Sequence, residues 1–206
     1  MYMLTQFAGK KIIMFTSTCN QTIKLALTLR FLNFKAVSIN GKLSQQMRLN
    51  ALNRFKSGER NILIATDVAS RGLDIPSVDV VINFDIPANS KDYVHRVGRT
   101  ARAGRTGKAV TLVTQYDVEI FQKIETLIGE KLPEYNVENK HALILYDSVT
   151  EAQRQAAIEM RDSKYLKEGV DGEDAKDDAE ADQDSEIFKK RTHKAAKFSN
   201  SKGFGG

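Results

Sequence analysis

Cysteine is nearly absent. Cys19 is the single one in 206 residues, which excludes a disulfide-stapled scaffold and a cysteine-based zinc site. Long apolar runs are missing too, since none approaches the roughly 20 residues of a membrane-spanning helix. A soluble chain with no membrane association is expected. The first residues, from Met1 to Gly9, lack the basic-then-apolar layout of a secretory signal. An intracellular, reducing compartment is therefore the default expectation. Acid is also scarce over most of the chain. Net charge is +5, but residues 171–186 hold nine Asp or Glu against one lysine, and residues 187–206 hold six Lys or Arg and no acid. The remaining body carries +7 on its own account, a charge that suits a polyanionic partner.

Short apolar runs alternate with amphipathic segments. Residues 12–16, 36–39, 62–65, 78–82 and 109–113 read as buried strands. Helices are expected at about 20–33, from Ser44 to the stop at Gly58, from Ser90 as N-cap through Arg96, and at about 117–128. Such alternation means an α/β fold: a parallel sheet of five or more strands with helices on both faces. Ligands of these sheets bind outside the carboxyl ends of the strands, which directs attention to the segments after residues 16, 40, 66, 84 and 113. Residues 150–166 read as one further helix, docking through Ala156, Ala157 and Met160. The expected organisation is a domain at 1–132, an extension with one helix at 133–169, and a tail at 170–206 too charged to fold alone.

Three segments carry candidate chemistry. Arg96, Arg99, Arg102 and Arg105 fall at three-residue spacing, with no acid between residues 93 and 116. Residues three apart share a helix face, and paired guanidinium groups suit phosphate oxygens. Four arginines without a neighbouring acid therefore point to an anion site. The second segment, Ala65 to Pro76, directly follows a buried strand. Gly72 permits unusual backbone angles, Arg71 offers a fork, and Asp67 and Asp74 offer acceptors for hydroxyls. A ligand loop and a simple capped turn both fit it. The third runs from Asn40 to Arg48, where Gln45 and Arg48 lie one turn apart beside a helix N-terminus. A phosphate backbone and a surface polar pair are its two readings. Thr16, Ser17 and Thr18 add donors at the same edge.

The string from His95 to Arg105 (HRVGRTARAGR) resembles the sixth motif of the DEAD-box RNA helicases. Ala65 to Pro76 is similar to their fifth motif, Ile13 to Thr18 to the fourth, and Gly41 with Gln45 and Arg48 to the RNA-contacting motif after it. All stand in the family's order. The details around Cys19, His95 and Asp117 resemble the nucleolar helicases of small-subunit ribosomal RNA maturation. The resemblance implies a RecA-like second lobe in which Arg99 and Arg102 act as arginine fingers on the ATP γ-phosphate. Asp74 would hold the ribose, with Gly72 letting the loop approach. Thr18, Gly41, Gln45, Arg48 and Thr66 would contact the RNA backbone, and His95 and Arg96 would join this lobe to its partner lobe. The implied partners are RNA, in particular pre-rRNA, an N-terminal helicase lobe and ribosome-assembly proteins. A monomer acting in the nucleus and nucleolus is implied as well.

Asn40 stands where relatives usually carry His. More consequential is the lack of Gly-x-x-x-x-Gly-Lys-Ser/Thr, the phosphate-cradling loop. The nearest string, Gly104 to Lys108, is followed by Ala109 and has Arg102 where the first glycine belongs. Glu180-Ala-Asp182 echoes the family's name motif but follows Ala179 inside the acidic run. The chain thus reads as one half of an ATPase, with ATP-bound magnesium held by a missing first lobe, Met1 expected to mark a truncated or mis-annotated start, and no activity expected of the chain alone. A non-catalytic lobe that docks RNA or a helicase's partners is the alternative. Lys189 to Lys194 could be a nuclear address, an RNA-tethering arm or a solvated charge run.

Overall fold

The computed structural model describes residues 1–101, 106–137 and 139–162. Five parallel strands, β1 (Ile12–Phe15), β2 (Ala36–Ile39), β3 (Ile62–Ala65), β4 (Val80–Asn83) and β5 (Lys108–Thr111), form one sheet in the order β2-β3-β1-β4-β5. The register is level: Phe15 pairs with Ala65 and Asn83, Ile39 with Ala65, and Asn83 with Thr111. All five strands therefore hand the chain out along one edge, and successive exits lie about 4.8 Å apart.

Strand residues alternate between two cores. Ile13, Phe15, Val37, Ile39, Leu63 and Val81 pack with Ala51, Leu52 and Phe55 of α3 (Gln45–Lys56) and with Ala69 of α4 (Asp67–Ser70). Ile12, Met14, Ala36, Ile62, Ile64, Val80 and Ile82 face the other way, against Leu4 of α1 (Tyr2–Gln6) and Ala26 and Leu29 of α2 (Cys19–Phe31). Apolar side chains on both faces are why these strands read as continuous hydrophobic runs. Each fully buried aliphatic contributes about 1.5–3 kcal/mol before chain entropy is counted.

The remaining helices are α5 (Ser90–Val97), α6 (Val118–Ile128), α7 (Asn139–Ile144) and α8 (Tyr146–Asp162). Gly129 ends α6 in the left-handed conformation, φ 80°, which costs glycine nothing. The extension holds two helices rather than the single one expected. α8 begins four residues early, at Tyr146, and residues 163–166 of the expected helix lie outside the described residues. Its docking face is Ala152, Ala156 and Met160, with Ala156 fully buried against Ile23 and Leu27 of α2. The tail, 170–206, lies outside the described residues as well. Among those described, no helix is long and apolar enough to cross a membrane.

Other boundaries moved for identifiable reasons. β4 starts at Val80 because the amide and carbonyl of Val78 bond to Arg99 O and Thr100 Oγ1 instead of a neighbouring strand. β5 ends at Thr111, where its partner β4 ends, leaving Leu112 and Val113 exposed. The N-cap of α5 is Asn89, one residue before the expected Ser90; its Oδ1 accepts from Lys91 N at 2.9 Å.

Candidate functional site

The carboxyl edge gathers the residues assigned to RNA. Thr18 caps α2, its hydroxyl accepting from Gln21 N at 3.1 Å. Below it Thr16 is fully buried, its Oγ1 2.9 Å from Thr22 Oγ1. The next exit on one side is β3, followed by Thr66, which is 7% exposed and makes no side-chain cap bond to α4. Beyond it β2 exits through Asn40 and Gly41. A Cβ on Gly41 would meet nothing nearer than Cys19 Sγ at 3.9 Å, so the lobe's own packing does not require glycine there. Ser44 caps α3 by accepting from Met47 N at 3.2 Å, which places Gln45 in the exposed first turn. Arg48, one turn on, is half-buried, and its Nε is buried without a hydrogen-bond partner. Asn40 is fully buried: its Oδ1 accepts from Lys42 N at 3.0 Å, while its Nδ2 finds no acceptor. Two buried donors without acceptors on one edge are uncommon in a folded protein.

The residues assigned to the nucleotide lie elsewhere. Arg99 follows α5 and its carbonyl accepts from Val78 N at 3.0 Å, at the amino end of β4. Thr100 is buried and donates to Val78 O at 2.7 Å. Gly107 closes the same turn tightly, since a Cβ there would collide with Thr100 Oγ1 and lie 2.7 Å from Ala101 N. Asp74 is also toward the amino ends. Its exposed carboxylate accepts from Nζ of Lys56, the last residue of α3, at 2.8 Å. That hydrogen bond and the lysine charge hold the Asp74 carboxyl below the usual carboxylate range. Gly72, at φ +75°, has open space where a side chain would be. Arg102 lies outside the described residues. Thr18, Gly41, Gln45 and Thr66 thus stand at the carboxyl edge, whereas Asp74, in the crossover from α4 to β4 beside the end of α3, and Arg99, to which α5 carries the chain back along the sheet, lie toward the amino ends.

Arg96 is the largest correction to the reading of four arginines without acids. It is 2% exposed, with Nε and Nη2 each 2.7 Å from the two carboxylate oxygens of Asp67. Its Nη1 donates to Asp85 O at 2.7 Å and to Asn83 Oδ1 at 3.2 Å, and its guanidinium lies 5.1 Å from the Phe15 ring centroid. The acid is 29 residues away in sequence, so a scan of neighbours cannot find it. Asp67 is likewise engaged rather than open to hydroxyls, and the Arg71 fork is taken by Asp92 Oδ1 at 2.6 Å. His95, by contrast, has a 72% exposed side chain, with Nδ1 3.6 Å from Asp92 Oδ1. Asp85 was missed altogether. Its carboxylate accepts from Ser17 N at 2.7 Å and Gln21 Nε2 at 3.3 Å, stitching the β1 exit to the β4 exit. The only sequence signal for it is a lone acid just past a buried strand.

The family model for the helicase conserved C-terminal domain matches residues 1–104. The probable ATP-dependent RNA helicase DDX47 of Bos taurus is 60% identical over 161 residues, 78% of this chain and 35% of that protein. The ATP-dependent rRNA helicase RRP3 of Coccidioides immitis is 57% identical over 161 residues, 78% of this chain and 34% of the relative. The chain spans about a third of the length of these curated relatives. Among solved structures, the E. coli DEAD-box protein SrmB bound to regulator of ribonuclease activity A superposes with a TM-score of 0.63 at 38% identity, covering 66% of this chain and 80% of that one. A DEAD box protein from Methanococcus jannaschii gives 0.61 at 36% identity, over 66% of this chain and 38% of the other. With a parallel five-stranded sheet and this match over half its length, the chain belongs to the helicase conserved C-terminal domain family, as a second RecA-like lobe of the DEAD-box type.

Proposed function

We propose that this chain is the second lobe of an ATP-dependent RNA helicase that acts on pre-ribosomal RNA. The observation that supports the reading is that the residues expected to contact RNA and those expected to contact ATP stand at opposite edges of one parallel sheet. Thr18, Gly41, Gln45 and Thr66 stand at its carboxyl ends, and Asp74 and Arg99 toward its amino ends. The names of the DDX47 and RRP3 relatives support it.

On the carboxyl edge, the amides at the N-termini of α2 and α3 favour an anion, and Arg48 Nε and Asn40 Nδ2 are donors in need of acceptors. Phosphate and sugar contacts of this kind are independent of base sequence and weaken with salt. On the nucleotide side, Asp74 is an ionised acceptor for ribose hydroxyls, and the open space at Gly72 admits the approach. Arg99, with Arg102 three residues on, would place guanidinium donors on the γ-phosphoryl oxygens where negative charge develops. ATP supplies the transferable phosphoryl group, and a P-loop lobe would hold it together with magnesium. Closure of the two lobes would bend the bound strand and destabilise a short duplex. A nuclear and nucleolar site of action, with ribosome-assembly proteins as partners, belongs to the same reading.

ATP hydrolysis by the chain alone, and by the chain joined to a P-loop lobe, tests this, each with and without single-stranded RNA. Background turnover alone and RNA-stimulated turnover when joined are expected. Arg99→Ala or Arg102→Ala should reduce the stimulated rate by about 10³-fold or more. Robust hydrolysis by the isolated chain would overturn the division of labour. RNA binding by the joined protein that weakens with salt but ignores ATP would favour a non-catalytic docking module.

A further inference from the structure

The two working edges are connected by one buried side chain. α5 runs from the carboxyl edge, where Asn89 caps it, to the amino edge, where Arg99 O accepts from Val78 N. Arg96 sits in its last turn. Helical side chains lean toward the helix N-terminus, so Arg96 reaches back up the sheet to Asp85 O and Asp67. Asp67 is the first residue of α4 and directly follows Thr66. One guanidinium therefore ties the Thr66–Asp67 turn to the helical turn that ends in Arg99.

This tie has properties that packing alone would not need. α4 is four residues long, and Thr66 contributes no side-chain cap bond to it; Asp67 is the charged group by which it is anchored. The pair is bidentate, so neither turn rotates without straining two charge-assisted bonds. Buried ion pairs are often no more stabilising than apolar replacements, which makes stability alone a weak reason for one at the junction of two loops. Nη1 of Arg96 donates to Asn83 and Asp85, also within this lobe. Resting on the function proposed above, we infer that Arg96 and Asp67 are positioning residues that transmit occupancy of the Thr66 turn to the Arg99 turn, while inter-lobe contact is left to the exposed His95.

Two measurements test this. The first uses the chain by itself and does not depend on helicase activity. Asp67→Asn keeps the side-chain size and one acceptor oxygen but removes the charge and one acceptor. Amide hydrogen exchange at Arg99 and Thr100, which bond to Arg96 O and Val97 O, is expected to quicken about tenfold, alongside Ser70 of α4 and its C-cap Arg71. Faster exchange confined to α4 would overturn the inference. The second uses the chain joined to a P-loop lobe. Absence of RNA-stimulated ATPase in the unmodified joined protein would count against the functional reading, and the exchange result would then stand on its own. With stimulation present, Asp67→Asn should leave RNA affinity without nucleotide, and nucleotide affinity without RNA, within about twofold, while the stimulation falls about tenfold. Phe55→Leu loosens the core under α3 and controls for general destabilisation; it should lower the melting temperature but keep the stimulation. Unchanged stimulation in Asp67→Asn, or a parallel loss in Phe55→Leu, would overturn the inference.

Discussion

Replacing Arg96 with methionine is the most direct perturbation of this lobe. Methionine keeps an unbranched stem against Phe15 but removes every donor. Asp67, whose side chain is only 26% exposed, is left as an unpaired carboxylate, and Asn83 Oδ1 and Asp85 O lose their partner. Breaking a buried pair from one side costs about 3–5 kcal/mol. The residual exposure of Asp67 puts this case near the lower end, about 3 kcal/mol, with roughly 1 kcal/mol more for the orphaned amide oxygen. Urea unfolding of the chain reads this as a lower midpoint at unchanged slope. At about 2–4 °C per kcal/mol for a domain of this size, a total of about 4 kcal/mol should lower the melting temperature by roughly 8–16 °C. Arg96→Met combined with Asp67→Leu removes both charges, and apolar replacement of a pair is often close to neutral. The double variant should recover about 2 kcal/mol relative to the sum of the single losses. A loss below about 1 kcal/mol for Arg96→Met, or strict additivity in the double variant, would refute the account of Arg96 as a desolvated, charge-paired centre.

Two further perturbations follow from local geometry. Gly107→Ala sets two effects against each other: lower unfolded-chain entropy stabilises by about 0.4–1 kcal/mol, while forcing apart Cβ and the Thr100–Ala101 turn costs about 1–3 kcal/mol. The clash involves a backbone nitrogen and Thr100 Cβ at 2.9 Å rather than a flexible side-chain end, so a lower melting temperature is expected, and a higher one would contradict the close approach of Gly107 to this turn. On α8, hydrogen bonds from Arg154 and Gln155 pull the Glu151 carboxyl from its ordinary 4.5 down to about 2. A depressed folded-state value means the stabilisation is complete above about 4.5 and is lost as pH falls toward about 2. The difference in melting temperature between the unmodified chain and Glu151→Gln should shrink through that window. A difference that grows toward acid would show the sign to be wrong.

The strands and most helix starts were legible because they are set by local rules. Runs such as Ile62 to Ala65 have few other uses, Ser44 accepts from Met47 N as a cap should, and Gly58 follows the end of α3. The motifs named the family for a related reason, since each is a contiguous string whose backbone forms one turn. What local pattern could not give was which charges meet. Arg96 reads as unpaired in the sequence because its acid lies 29 residues away and reaches it only when β3 and β4 flank β1 in the sheet. The same folding occupied Arg71 with Asp92 and brought Asp85 to Ser17. It also separated Asp74 and Arg99 from the carboxyl edge, the first in the crossover that descends from α4 to the start of β4, the second by returning the chain along α5 to the foot of β4. Sequence alone determined the layer type, the two apolar faces and the family, because hydrophobic period and turn chemistry act within a few residues. Tertiary structure decided the partner of each charge and the division into two edges, because electrostatic pairing depends on distances that only the closed sheet establishes.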